Sequence, residues 1–207
     1  MPKLYVRNLP EPSHLRDNVL AVWGRTTSTE RDRGAAWYDD ARDNARLVGD
    51  IASVSMYAGA GVLAVLSPQL EWNLNVSEAY RVATEYRDGT FDDNTYTAYR
   101  VNVHKAWAIL NDPDTVDTIV SGPKVTPFYR AIAGIDGGPV IDRHATRVAT
   151  AYAYDEPTTA TLLVLQHAYI AASMHAAVNV HALQAATWIA CKRELESTLG
   201  QLTLGWK

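Results

Sequence analysis

The sequence predicts an all-α fold for a chain of 207 residues. Apolar residues recur three or four positions apart along nearly the whole chain, and the two-residue alternation of a half-exposed strand is rare. Hydrophobic residues make up 47% of the chain, enough to fill the core of one domain or of two small lobes. The composition therefore excludes the disordered and fibrous classes.

The first predicted helix lies on the surface and covers residues 37–51. Asp39, Asp43 and Arg46 are interspersed there with the apolar Ala41 and Ala45, so one side faces solvent and the other a core. The next segment, residues 54–66, carries no charge, which predicts a central helix packed on several sides. Ser67-Pro68 ends this helix, because proline disfavours the helical conformation of the residue before it.

Further helices are predicted at about 74–87, 93–110, 127–134, 143–153, 158–176 and 180–198, with breaks at Asp112-Pro113 and Gly137-Gly138. The last two helices include a stretch, Pro157 to Cys191, that contains no Asp, Glu, Lys or Arg. Gln, Asn and His residues recur in it too often for a lipid-exposed span, so we expect buried helices. Trp188 is expected to pack on the other long helices.

Composition also limits the function classes. The single cysteine, Cys191, excludes an intrachain disulfide, a four-thiolate zinc site and a four-cysteine iron–sulfur cluster. The charged residues Arg7 and Glu11 come too early after Met1 for the apolar region of a signal peptide, so we expect a reducing, intracellular setting. The net charge of −4 argues against a protein coated with basic surface for nucleic acid, although a local basic patch is compatible with it.

The segment from Thr115 to Val148 carries the most chemical information. Its pattern predicts a short helix, a tight turn at Ser121-Gly122-Pro123, a second helix ending at Gly134, a loop, and a third helix entered through Asp142. Such a turn exposes backbone N–H groups at a helix start, where they can hold a phosphate without recognising sequence. Because Pro127 lacks an N–H, we expect the second helix to begin at Thr126-Pro127 and Lys124 to lie in the turn.

Four short segments resemble the helix-hairpin-helix DNA glycosylases of the endonuclease III type. Gly122-Pro123-Lys124 is similar to the family's hairpin with its nucleophilic lysine, and Ile141-Asp142-Arg143-His144 is similar to its catalytic aspartate motif, 18 positions later. Val62 to Gln69 resembles the family's central helix with its L-S-x-Q ending, and Asn102 to Ala106 its N-x-x-K-A helix. The resemblance covers roughly residues 55–150. Ile119 and Val120 depart from it, since the family has proline and glycine there.

The resemblance implies a two-lobed helical bundle with a helix-hairpin-helix motif and a central cleft. The chain would be a single globular unit over 1–207, with the motifs at about 55–150 and with terminal helices, in 1–54 and 151–207, that form or complete the second lobe. It implies no cofactor and no metal, because the family's cysteine cluster is absent and clusterless members of the superfamily exist. His167, His175 and His181 are also spaced too far apart for a helical metal pair.

The site residues follow from the same resemblance. Asp142 and Lys124 are the expected catalytic residues, and the expected DNA contacts are Gln69, Ser121, Gly122, His144 and Arg147, with Trp72 and Asn73 at a base pocket. A carboxylate stabilises the positive charge that builds on the sugar as an N-glycosidic bond breaks. A lysine amine attacks C1′ and forms a Schiff base that allows strand cleavage. The base must first be flipped out of the stack, and Gln69 would fill the gap.

Each of these residues also has a plain structural interpretation. Asp142 is a preferred helix N-cap, and that role is compatible with catalysis. Lys124 is alternatively a surface or phosphate-contacting lysine, and Gln69 an ordinary loop residue. Trp72 is alternatively a partly buried core residue, and His144 and Arg147 part of a solvated face.

The residues and the resemblance are compatible with three functions. The first is a glycosylase, with or without lyase activity, that acts on a modified or damaged base in double-stranded DNA. The second is a bacteriophage enzyme that uses the same fold to remodel, or transfer a group onto, a modified pyrimidine. The third is a non-catalytic DNA-binding module. All three imply DNA as the partner, no membrane and no protein partner, in the cytoplasm of a bacterium or of a phage-infected host cell.

Overall fold

The all-α class is confirmed: 72% of the chain is helical in a computed structural model. The structure describes residues 3–135 and 137–204, and side chains as far as Ser197. The chain divides into two compact units. Unit 1 comprises Met1–Tyr38 and Gly138–Lys207, and unit 2 comprises Asp39–Gly137. The segments that resemble the glycosylase family therefore fall in both units, with Lys124 in unit 2 and Asp142 in unit 1.

Unit 2 is built around the uncharged helix that the sequence predicted. This helix, α3 (Met56–Leu66), packs against α4 (Trp72–Asp88), α5 (Arg100–Asn111), α6 (Val116–Ile119) and α7 (Val125–Ala133). Every residue from Ala58 to Leu66 is buried, so the prediction of a central helix is confirmed. Ser55 caps its start by accepting a hydrogen bond from the Ala58 N–H at 3.2 Å.

The second helix, α2 (Ser28–Ala52), begins nine residues before the expected position. A reciprocal capping box starts it, in which the Thr27 N–H donates to Glu30 and the Glu30 N–H donates to the Thr27 hydroxyl. α2 approaches α3 very closely, because a Cβ on Gly59 would lie 2.0 Å from the Ala45 carbonyl oxygen. The absence of a side chain at Gly59 thus allows the backbones of α2 and α3 to pack in direct contact.

The predicted helix at 93–110 is wrong at its start, since α5 begins only at Arg100. Side chains of α4 hold the preceding residues in a loop. Both oxygens of the buried Glu78 carboxylate accept backbone hydrogen bonds, from Thr97 at 2.7 Å and Ala98 at 3.1 Å. Arg81 lies 3.8 Å from the centre of the Tyr96 ring and also bonds to Thr95. These contacts satisfy the backbone groups that a helix would otherwise have paired.

Unit 1 contains α1 (Pro12–Gly24), α8 (Arg143–Ala149), α9 (Thr159–Ala176) and α10 (Val180–Leu204). Two short parallel strands, β1 (Lys3–Leu4) and β2 (Glu156–Pro157), join its N-terminal segment to the start of α9. The core lies between α1, α8, α9 and α10 and contains Leu15, Val19, Leu165, Tyr169 and Leu183. α1 was not predicted, although Pro12 at its first position is a typical start signal.

The long uncharged stretch forms all of α9 and the part of α10 as far as Cys191, and both helices bury part of their surface in unit 1. Within the residues described, no single helix is both long and apolar enough to cross a membrane, and two bent helix pairs qualify only when taken together.

Candidate functional site

The segment that resembles the hairpin is a short helix, a turn and a second helix, as predicted. α6 ends at Ile119, and α7 ends at Gly134, which caps it with a left-handed φ of 71°. α7 begins at Val125, one residue before the expected Thr126-Pro127, and Lys124 lies outside the helix as predicted. Pro127 then occupies the third helical position, where the helix needs no N–H donor, so its missing N–H costs nothing.

The turn itself is exposed and contains a residue that requires glycine. Gly122 has a φ of 115°, and a Cβ added to it would meet open space, so its conformation and not crowding favours glycine here. The Thr126 N–H donates to the Gly122 carbonyl at 3.1 Å. By contrast, the backbone N–H groups of Lys124 and Val125 donate to no acceptor among the described residues. Two donors at the start of α7 are thus available to an anion.

Lys124 is the N-cap residue of α7 and is partly buried. Its backbone is helical, with φ −99° and ψ −43°, and its side chain makes no cap hydrogen bond. Within the described part of the chain its ammonium group forms neither a hydrogen bond nor an ion pair. A cation at this position opposes the helix dipole, so the sequence has placed a lysine where local structure does not favour one.

Gln69 lies in an exposed turn between α3 and α4. The Leu70 N–H donates to the Ser67 carbonyl at 3.3 Å, with Pro68 second in the turn and Gln69 third. Gln69 has a φ of 65°, a left-handed conformation that costs a residue with a side chain. Trp72 and Asn73, predicted at the base pocket, open α4; Asn73 is exposed, whereas Trp72 is partly buried.

Asp142 is the N-cap of α8, as its structural interpretation predicted. Its Oδ1 atom accepts a hydrogen bond from the Ala145 N–H at 2.8 Å. Its Oδ2 atom accepts a second hydrogen bond, from the indole Nε1 of Trp188 on α10 at 3.2 Å. No cation pairs with this carboxylate among the described residues. Two neutral donors thus hold the partly buried carboxylate of Asp142.

Aromatic side chains surround the donor of that second bond. The Trp188 ring centre lies 6.3 Å from that of Trp37 and 5.7 Å from that of His144. The ammonium group of Lys192 lies 4.9 Å from the centre of the Trp188 ring. Behind them the buried hydroxyl of Tyr38 donates to Gln184 at 2.9 Å. The carboxylate therefore lies beside an aromatic wall in unit 1.

Burial and the negative charge of Asp142 raise the pKa of two buried groups, the Tyr38 hydroxyl and the Cys191 thiol. Burial raises the pKa of Tyr38, and the negative charge of Asp142 raises it further. Burial likewise raises the pKa of the Cys191 thiol to about 11, and the Asp142 charge acts in the same direction. Both groups therefore stay neutral at physiological pH, and the cysteine is not a reactive thiolate.

His144 and Arg147, predicted to contact DNA, have partners within unit 1. The His144 Nδ1 atom lies 3.6 Å from the Cys191 sulfur. The Arg147 guanidinium donates to Asp155 at 2.7 Å, and the two side chains are only 14% and 13% exposed. This bond lowers the pKa of the Asp155 carboxyl. Arg147 therefore stabilises the end of α8, and its phosphate contact stays a prediction.

Over the ranges that the structure describes, no His, Cys, Asp and Glu side chains cluster as metal ligands.

One residue of this site, Trp188, was not predicted from the sequence. Trp188 was expected only to pack, yet its indole N–H bonds to the carboxylate of Asp142. The two residues lie 46 positions apart, and nothing in the spacing connects them. The one signal in the sequence is the residue type, because the indole N–H of a buried or partly buried tryptophan usually finds an acceptor.

A family model described as "Family of unknown function (DUF7178)" matches residues 6–195. No curated protein and no solved structure shows significant similarity to the chain.

Proposed function

The chain belongs to DUF7178, a family of unknown function, and from its site residues we propose that it is a DNA glycosylase. Its substrate would be a modified or damaged base flipped out of double-stranded DNA, and its reaction the cleavage of the N-glycosidic bond. The observation that carries this proposal is the carboxylate of Asp142, which two neutral N–H donors hold and no described cation pairs with.

That environment suits the reaction. As the base departs, positive charge develops on the sugar, and a nearby fixed anion lowers the energy of that transition state. An arginine or lysine bound to Asp142 would cancel the charge, whereas the Ala145 N–H and the Trp188 indole orient the carboxylate and leave the charge in place. Partial burial strengthens its field relative to an exposed aspartate.

Lys124 is proposed as the nucleophile of an accompanying lyase step. Its amine has no partner among the described residues, so once deprotonated it is available to attack C1′ of the sugar. The nitrogen–C1′ bond forms as the base leaves with the bonding electrons. The C1′–O4′ bond then breaks, O4′ takes a proton as the sugar ring opens, and the nitrogen lone pair forms a Schiff base with C1′, from which β-elimination breaks the strand.

The turn before α7 and the turn at Gln69 are proposed to hold the DNA. The N–H groups of Lys124 and Val125, which donate to no acceptor among the described residues, suit a phosphate oxygen, which such contacts bind without recognising sequence. The strained, exposed Gln69 suits a residue that probes the gap left by an extruded base, because strained exposed positions concentrate at functional sites.

The test is the product formed from duplexes that each carry one modified base. The proposal expects free base with an abasic or cleaved strand from the wild-type protein, and neither product from Asp142→Asn. Asp155→Asn is the matched control, since it removes a carboxylate that is committed to Arg147. An intact strand with an altered base mass would favour remodelling of the base instead. Binding without any product would favour a DNA-binding module.

A further inference from the structure

The indole of Trp188 lies next to Asp142 and is packed among three other side chains. Trp37, His144 and Lys192 contact its ring, and its Nε1 atom is its single hydrogen-bond donor. A partly buried tryptophan usually directs this donor to an acceptor, and here the acceptor is Oδ2 of Asp142 at 3.2 Å. The ring therefore has a fixed position before any ligand arrives.

The N-cap bond alone does not fix the plane of the carboxylate. It uses only Oδ1, and the terminal torsion of an aspartate has a broad minimum, so the group can rock about that contact. A second donor on Oδ2 removes this freedom. Because the indole is neutral, it does so without cancelling the negative charge.

We propose that Trp188 is a positioning residue that sets the orientation of the Asp142 carboxylate for its chemistry. This inference rests on the proposed function, because it assigns Trp188 to the same site. α10 therefore has a role besides completing the core of unit 1, because its Trp188 holds the carboxylate of Asp142, which lies 46 positions earlier in the chain.

The kinetic test is Trp188→Phe, which keeps an aromatic ring and removes the donor. Base release in a single turnover should fall by roughly tenfold to a hundredfold, the usual weight of a hydrogen bond to a charged group. The Kd for the DNA duplex should stay within about twofold, because only the reacting geometry changes. Trp107→Phe is the matched control, since Trp107 is also partly buried, touches Tyr86 and Phe91, and should change neither quantity. An unchanged rate in Trp188→Phe would overturn the proposal.

A second measurement does not depend on activity. Asp142→Ser keeps an N-cap oxygen and removes the acceptor of the indole, so in nitrogen-15 spectra the Trp188 indole proton should move upfield and exchange faster with water. Trp23, Trp72 and Trp107, for which no contact with Trp188 is described, serve as internal references. An unmoved Trp188 signal would overturn the proposal even if the enzyme is active. If wild-type protein releases no base from any duplex, the proposed reaction falls, and this signal alone decides whether Trp188 holds the carboxylate.

Discussion

The rings of Trp72 and Phe128 meet nearly at right angles, with centres 6.1 Å apart and planes inclined by 76°. Trp72 opens α4 just beyond the turn of Gln69, and Phe128 lies one helical turn beyond Lys124 in α7. This contact brings the starts of α4 and α7 together inside unit 2. The predicted pocket role of Trp72 stays a prediction, but its ring already ties the helix after Gln69 to the helix after Lys124.

Asp142→Asn should abolish base release while the protein stays folded. The amide keeps one acceptor for the cap and loses the charge and the bond to Trp188, so the free energy of unfolding should fall by about 1–2 kcal/mol. Single-turnover assays and urea denaturation measure the two effects. Asp155→Asn should show the reverse pattern, with lower stability and retained activity, because its carboxylate pairs with Arg147. Retained base release in Asp142→Asn would remove this residue from the chemistry.

Lys124→Gln should abolish covalent trapping. Borohydride reduces a Schiff base to a stable amine, so wild-type protein should form a protein–DNA adduct on a substrate that it cleaves. Denaturing gels detect that adduct. Lys105→Gln, a change at the other lysine of the resembling motifs, should leave it intact. If wild-type protein releases base but never forms the adduct, Lys124 is a phosphate contact and Asp142 alone carries the chemistry.

Two substitutions at Gln69 should distinguish the effect of its backbone strain on stability from the effect of its side chain on base release. Gln69→Gly relieves the left-handed backbone and should raise the free energy of unfolding by about 1 kcal/mol, whereas Gln69→Ala keeps the strain. Both remove the side chain that is proposed to probe the extruded base, so both should slow base release. Thermal melts and kinetics on the same preparations compare them. Wild-type rates in both variants would make Gln69 a loop residue only.

Gly59→Ala should destabilise unit 2 strongly. The added Cβ would lie 2.0 Å from the Ala45 carbonyl oxygen, and both groups belong to helices that cannot shift freely, so the loss should reach at least about 2 kcal/mol. Gly24→Ala is the control, because a Cβ at Gly24 meets nothing within 4 Å. Urea denaturation should show a loss in the first variant and none in the second. Equal stability of both would mean that α2 and α3 are not this close.

Stability should decline at alkaline pH partly through Cys191. Burial raises its pKa from 9.0 to about 11, so the folded chain keeps the thiol neutral where the unfolded chain ionises. This contribution is complete below pH 9.0 and is lost as the pH rises through about 11. In denaturation series, Cys191→Ala should show a shallower decline over that range. An identical slope in both proteins would contradict the burial of the thiol.

Local patterns determined the fold class and much of the helix map. The starts of α4, α9 and α10 fall within two residues of prediction, because apolar periodicity and caps are encoded in neighbouring residues. The same is true of the Asp142 cap, whose partner is only three residues away. α5 shows the limit, since Glu78 on α4 competes for the backbone that the pattern assigned to a helix.

Only part of the candidate site could be predicted from the sequence. The resemblance to the glycosylase family indicated Asp142, Lys124 and Gln69 as site residues, because motif spacing and residue type are properties of a linear chain. Only the tertiary structure decided the second donor on Asp142, the commitment of Arg147 to Asp155 and the left-handed backbone of Gln69. The physical reason is that a hydrogen bond depends on the distance between atoms in space. Packing of α8 against α10 sets that distance for Asp142 and Trp188, and no local pattern records it.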